Sequence, residues 1–120
     1  MVSARLKSGI WVRAYIRRCQ SQGVPAAVVR HGDEDAGAIF IRLNYLDGTS
    51  IIFAPAPSGL ADEEIDRRLM PALNGYRTAE EAVEEYFRRE ISFDSDLWII
   101  EVESKEGTHF LEDWLQKGLK

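Results

Sequence analysis

The sequence predicts an α+β fold in a single domain spanning residues 1–120. Three observations predict it. An amphipathic helix opens the chain. Three short apolar strands follow, separated by turn signals. Two helical segments, a fourth strand and a closing helix complete the chain. Helices and strands do not alternate in the order α, β, β, β, α, α, β, α. A mostly antiparallel sheet with helices packed on it is therefore expected, not a doubly wound parallel one. The ends, 1–7 and 117–120, are expected to lie outside the packed domain as disordered tails.

The first helix is expected between Ser8, as N-cap, and Gly23, where a helix would stop. At about 100° per residue, Trp11, Val12, Tyr15, Ile16 and Cys19 fall on one arc and Arg13, Arg17, Arg18 and Gln20 on the other. A three-stranded antiparallel meander is expected next: "PAAVVR", "GAIFIRLN" and "SIIFA". Pro25 is tolerable only at the start of the first strand. Asp47-Gly48 is a two-residue hairpin signal, because both residues accept positive φ. Those two residues as the loop would pair Leu43 with Ile52 and Arg42 with Phe53. Ile39, Ile41, Leu43 and Ile52 would then share the core face. Phe40, Arg42, Asn44, Ile51 and Phe53 would share a mixed face, half covered by a helix or half open to a partner.

"PAPSG" is the main internal loop. A short helix is expected after it, capped by Asp62 and carrying Ile65 and Leu69. Thr78 and Glu81 have the spacing of a capping box. The helix behind them turns Ala79, Ala82, Val83, Tyr86, Phe87 and Glu90 to one side and Glu80, Glu81, Glu84 and Glu85 to water. "DLWIIEVE" is the fourth strand. "HFLEDWLQKG" is expected to close the fold as a helix, with Phe110, Leu111, Trp114 and Leu115 inward and His109 in its first turn.

Of 120 residues, 45% are hydrophobic and 29% charged, the composition of a globular domain that buries about two-thirds of its unfolded surface. The single cysteine, Cys19, excludes an intrachain disulfide and a cysteine-built zinc site, and fits a reducing compartment. No segment reaches the ~18–20 apolar residues of a membrane span, nor the pattern of a signal peptide. A cytoplasmic location and no membrane partner are expected. The net charge of −5 is unevenly spread: residues 1–32 carry six basic groups and no acidic one, the remainder nine basic and twenty acidic. That basic helix either meets an anionic partner or neutralises the acidic body, for example the helix around Glu81 and Glu85.

The stretch "HGDEDAG" places Asp33 and Asp35 between Gly32 and Gly37. It lacks the twelve residues and closing glutamate of a calcium loop, and carboxylates repel phosphate. A bend is expected, its aspartates bonding nearby amides. Asp94 and Asp96 in "FDSDLW" are expected to do likewise. The two pairs could hold a divalent cation only if the fold brought them together. His31 and His109 have no metal-ligand spacing, and no nucleophile elbow exists. Cys19 lies on the apolar arc. No catalytic residue, no metal ligand and no cofactor is expected. Arg13, Arg17 and Arg18 form a face that could contact phosphates, without a nucleic-acid-binding motif to support it.

"LKSGIWVRAYIRRC", "AAVVRHGDEDAGAIFIRLNYLDGT", "REISFDSDLWIIEVE" and "EGTHFL" together resemble domain-of-unknown-function family 1491, small proteobacterial proteins, from about Arg5 to Leu111. The resemblance is sharpest in the loop Gly32, Asp33, Asp35, Gly37 and in the run Arg89, Glu90, Phe93, Asp94, Asp96, Trp98, to which Glu101 belongs. Glu34 and Ser95 stand where proline is common in the family, which loosens both turns. The resemblance implies a single domain and no established activity.

The expected function is that of a non-enzymatic accessory or interaction domain, with an unknown protein or a second copy as partner. The alternatives are weak nucleic-acid binding through Arg13, Arg17 and Arg18, and a divalent-cation site or metal-dependent enzyme built on the two Asp pairs.

Overall fold

A computed structural model describes residues 6–57 and 67–115. The helix α1 (Ser8–Ser21) runs with Trp11, Val12, Tyr15 and Cys19 buried, as the periodicity predicts. It ends in a Schellman motif: Val24 N–H donates to Cys19 O and Gly23 N–H to Gln20 O, with Gly23 at φ 80°. Ser8 is not the N-cap. Lys7 holds that position, and Ser8 is the first helical residue. Its hydroxyl donates instead to Gly37 O (2.7 Å).

The strands are β1 (Ala26–Arg30), β2 (Ile39–Asn44), β3 (Thr49–Pro55), β4 (Leu69–Pro71), β5 (Thr78–Ala79) and β6 (Trp98–Glu103). They form one mixed sheet in the order β1-β6-β2-β3-β4, with β5 beside the start of β3. The expected meander is half right. β2 and β3 are an antiparallel hairpin, but β6 separates β1 from β2, antiparallel to the first and parallel to the second. Burial explains the order. Trp98, Ile99, Ile100 and Val102 of β6 are all buried, which demands cover on both faces and a central place. Ala27, Val28 and Val29 of β1 are exposed, which suits an edge.

The hairpin register differs by one residue from the expected one. Leu43 pairs with Ile51, Arg42 with Ile52 and Ile41 with Phe53. The loop is longer than Asp47-Gly48 because Tyr45 N–H closes on Thr49 O. Asn44 Oδ1 accepts from Leu46 N–H, and Asp47 Oδ1 from Thr49 N–H. Leu46 and Gly48 take positive φ. A slip of one residue exchanges the faces of a strand, so Phe53 and Ile51 join the face assigned to Ile52, and Ile52 joins the other.

Two cores result. On one face, α1 packs on Ile39, Ile41, Leu43, Phe53, Trp98, Ile100 and Val102, with Leu111 closing the end. On the other, Val83 and Phe87 of α2 (Glu80–Phe93) cover Phe40, Ile52, Leu97 and Ile99. The two helices thus lie on opposite faces of the sheet, so the helix around Glu81 and Glu85, given above as one example of what α1 could neutralise, is not its neighbour. No capping box forms at α2 either. Thr78 pairs with Ser50 in the sheet, its hydroxyl donates to Tyr76 O, and Ala79 is the N-cap. Glu80 and Glu81 in the first turn complement the helix dipole instead.

Leu69 lies in β4, paired with Pro55, not in a helix; Asp62 and Ile65 lie outside the described residues. Over its described part, 109–115, the closing helix is replaced by a 3-10 turn (Glu112–Trp114). Tyr15 Oη donates to His109 O (2.7 Å) and Leu111 N–H to His109 Nδ1 (2.9 Å). The His109 carbonyl is one that a helix beginning there would use, and Phe110 at φ 57° breaks the path. Of the expected tails, Leu6 and Lys7 are exposed coil; residues 1–5 and 117–120 lie outside the described residues. Among the described residues, no helix is long and apolar enough to cross a membrane.

Candidate functional site

The two acidic motifs meet in space, through backbone and not through carboxylates. Asp33 N–H donates to Asp96 O (2.9 Å), and Trp98 Nε1–H donates to Asp33 O (2.8 Å). A Cβ on Gly32 or on Gly37 would collide with the Asp96 carbonyl oxygen, so this approach requires glycine. Asp33 Oδ2 accepts from Asp35 N–H and Ala36 N–H, and Asp94 Oδ1 from Asp96 N–H. Both carboxylates are turn caps, as expected for a bend. Among the described residues no group of three or more His, Cys, Asp and Glu is placed to hold a metal ion.

The Gly32–Gly37 loop also seats α1. The carbonyls of Asp35 and Glu34 accept from Ser8 N–H (3.2 Å) and Gly9 N–H (2.9 Å), two of the donors a helix start leaves open. Around it, Glu34 binds Arg13 (2.9 Å) and His31 (2.8 Å), and these partners, Arg13 foremost, hold its carboxyl below the usual range. The His31 ring tilts over Trp98, centroids 4.2 Å apart. The Asp35 carboxylate stands 3.7 Å from the Lys7 ammonium. Glu101 Oε2 accepts from Asn44 Nδ2 (2.7 Å), tying β6 to β2. Glu90 is half-buried beside Tyr86, whose hydroxyl is pushed up to about 12 by burial and by that carboxylate.

Three motif side chains have no such role. Arg89 and Asp96 are exposed, and Phe93, at the end of α2, is 81% exposed.

The basic face of α1 is largely occupied within the fold. Arg13 is held by Glu34, and Arg18 lies over the Phe110 ring at 5.5 Å. Arg17 alone of the three has no partner among the described residues. Cys19 is buried, and burial pushes its thiol up. The His109 ring is tilted against Phe53, centroids 5.0 Å apart.

A different surface carries the unassigned chemistry. α2 covers β2, β3 and part of β6, but not β1. Between helix and edge strand runs a groove of about 380 Å³, floored by Ile99 and walled by Val29 and Arg30 on one side and Phe87, Arg88 and Ile91 on the other. Arg42 and Glu84 close it from β2 and α2. Arg30 donates from Nη2 to Ser95 O (2.9 Å), and its Nε is buried without a partner. Arg42 has a side chain only 14% exposed and donates from Nε to Ser50 Oγ (3.2 Å). Its outer nitrogens stand 3.9 Å from Glu80 and Glu84, beyond hydrogen-bonding distance. Arg88 pairs with Glu85 on the helix surface. The sequence placed Arg42 on the face expected to be mixed, with no role assigned to it. Arg30 and Arg88 become neighbours of the groove only because β1 is an edge strand.

The fold and the loop junction define a class: a small α+β domain with one helix on each face of a mixed sheet and no assembled catalytic constellation among the described residues. The family model for proteins of unknown function, DUF1491, matches residues 6–112, and the chain belongs to that family. A crystal structure of a DUF1491 family protein from Caulobacter crescentus CB15 is similar with 31% identity and a TM-score of 0.75, over 95% of this chain and all of that one. A DUF1491 family protein from the same organism, determined by NMR, has 32% identity and a TM-score of 0.76, over 96% and 100%. A solution structure of an A. tumefaciens protein has 41% identity and a TM-score of 0.71, over 84% of this chain and 87% of that one. No curated protein matches the chain.

Proposed function

We propose that the protein is a non-enzymatic protein-interaction domain that docks its partner on the open half of the second sheet face. One observation carries this reading. The edge strand β1 keeps Val29 58% exposed on the wall of a groove that α2 leaves uncovered. Exposed apolar side chains on an unpaired edge mark association surfaces. Occupied carboxylates at the loop junction and a buried Cys19 support the absence of catalysis.

The test is a photo-crosslinking residue placed at Val29 and, as control, at Ala14 on α1. The expected result is a discrete protein adduct at position 29 that survives nuclease and is absent at position 14. Adducts only at position 14, lost with nuclease, would instead make α1 and Arg17 the working surface. Turnover of a substrate in a screen, abolished by changing one of the motif aspartates, would overturn the reading.

A further inference from the structure

We infer that the segment Gly107–Trp114 is a strap that acid opens: with His109 neutral it is latched over the end of the core beneath α1, and with His109 protonated its middle comes away. The strap lies on the α1 side of the sheet and is independent of the docking surface proposed above.

The strap is fixed at both ends. Gly107 N–H donates to Ser104 O (3.2 Å) and Thr108 N–H to Ser104 Oγ (2.9 Å). At the far end Arg68 donates to Leu115 O (2.8 Å), and Leu115 bridges to Leu69 of β4. Between these anchors the hold runs through His109. Its carbonyl accepts from the Tyr15 hydroxyl, its Nδ1 accepts from Leu111 N–H, and its side chain is only 17% exposed. Leu111 is thereby seated in the core, fully buried. Trp114 meets Trp11 edge-on, ring centroids 5.4 Å apart. Phe110 holds φ 57°, an unfavourable backbone for a phenylalanine, which favours release once those bonds are lost.

The latch has the chemistry of a proton switch. Nδ1 accepts a hydrogen bond only while it carries no proton, and the imidazolium has N–H at both nitrogens. Protonation sets Nδ1–H against Leu111 N–H and leaves a buried amide without its acceptor. A second partner stands beside the same nitrogen: the Glu112 carboxylate, 3.9 Å away. The charged ring exchanges the amide for that carboxylate, and Leu111 is no longer held. Among the described residues, the other groups around the ring supply no counter-charge. From α1 come Tyr15, with Cys19 beside it, both pushed up by burial, and Arg18, a cation over the Phe110 ring. From β3 comes the phenyl of Phe53. Burial keeps the latched ring below its ordinary 6.5, against the pull of Glu112, whereas an opened strap returns it to ~6.5. The open form therefore binds the proton more tightly. Acid favours it by up to about tenfold per pH unit below that value.

The test is NMR of the whole protein between pH 7 and pH 5, following the His109 ring, the Leu111 amide and the Overhauser contact between the Trp11 and Trp114 rings. As the His109 ring protonates, the expected result is a fading Trp11–Trp114 contact and a falling exchange protection of Leu111. The contact of Ile41 with Ile100, partners across β2 and β6, should persist. Glu112→Gln should move the midpoint to lower pH and leave the fold at pH 7 unchanged. His109→Asn, whose side-chain oxygen can still accept from Leu111 N–H, should hold the Trp11–Trp114 contact down to pH 5. A ring that protonates with the tryptophan contact intact, an opening that persists in His109→Asn, or a midpoint that Glu112→Gln leaves in place would each overturn the inference. Loss of the Ile41–Ile100 contact at the same pH would do so too, because it marks global unfolding. If His109→Asn does not fold, the Glu112→Gln midpoint decides alone.

Discussion

Replacing Gly32 by alanine isolates the junction that holds the two motifs together. Gly32 is not among the residues at positive φ, so alanine meets no backbone strain there and the cost is steric. The new Cβ collides with the Asp96 carbonyl and crowds the Trp98 indole. Relief means parting the loop from the entry to β6. That stretches Asp33 N–H to Asp96 O and Trp98 Nε1–H to Asp33 O, each contributing about 0.5–1.5 kcal/mol. Crowding adds about 1–3 kcal/mol, and a stiffer unfolded chain returns about 0.4–1 kcal/mol. The net loss is about 1–6 kcal/mol and about 3 kcal/mol at the midpoints, a fall in melting temperature of roughly 10 °C at this size. Gly48→Ala is the control: φ is 89° with open space around it, so only the left-handed backbone costs, about 1–2 kcal/mol. Urea unfolding followed by circular dichroism gives both numbers, and the Trp98 indole N–H resonance reports the junction directly. A Gly32→Ala protein within about 0.5 kcal/mol of wild type, its indole resonance unmoved, would refute the reasoning.

Two further outcomes follow from the register and from the buried imidazole. Ile52 is fully buried beneath α2 while Ile51 is half-exposed, so Ile52→Ala should cost about 2–5 kcal/mol and Ile51→Ala less than half of that in urea unfolding; equal costs would refute the packing assigned to β3. Burial lowers the pKa of His109 below its ordinary 6.5, opposed by Glu112. The unfolded chain therefore binds more protons just below pH 6.5, and stability falls as pH drops through 6.5 towards the folded value, then levels off. His109→Asn keeps an acceptor for Leu111 N–H and should flatten that slope in chemical unfolding between pH 7 and pH 5; an unchanged slope would assign it to other groups.

Local chemistry was legible in the sequence and long-range pairing was not. The arc Trp11-Tyr15-Cys19, the stop at Gly23, the turn-capping aspartates and the aliphatic run of β6 all follow from side chains within a few residues of one another. The errors share another cause. The hairpin slipped because Asn44 and Asp47 support a longer loop than Asp47-Gly48 alone predicts. β1 was misplaced because a strand bringing itself home after α2 can enter between two others, and only burial on both faces of β6 reveals it. Thr78 and His109 carry helix-start chemistry, but tertiary partners (Ser50 for one, Tyr15 for the other) take it first. The groove was invisible for the same reason: Arg30, Arg42 and Arg88 come from three elements that only the strand order makes neighbours.

Phe93 separates the structural motif positions from a functional one. Gly32, Asp33, Gly37, Asp94, Trp98 and Glu101 each touch something that holds the fold. Phe93 is 81% exposed at the last turn of α2, two residues before the Ser95 carbonyl that Arg30 grips, at the end of the helix that walls the groove. An exposed phenyl contributes little to a monomer's stability but a large apolar area to an interface. Phe93→Ser should therefore leave the melting temperature within a degree or two and lower the crosslinking yield at Val29 severalfold. The opposite pattern, a protein that melts early yet crosslinks as before, would place Phe93 with the packing residues and take it out of the docking surface.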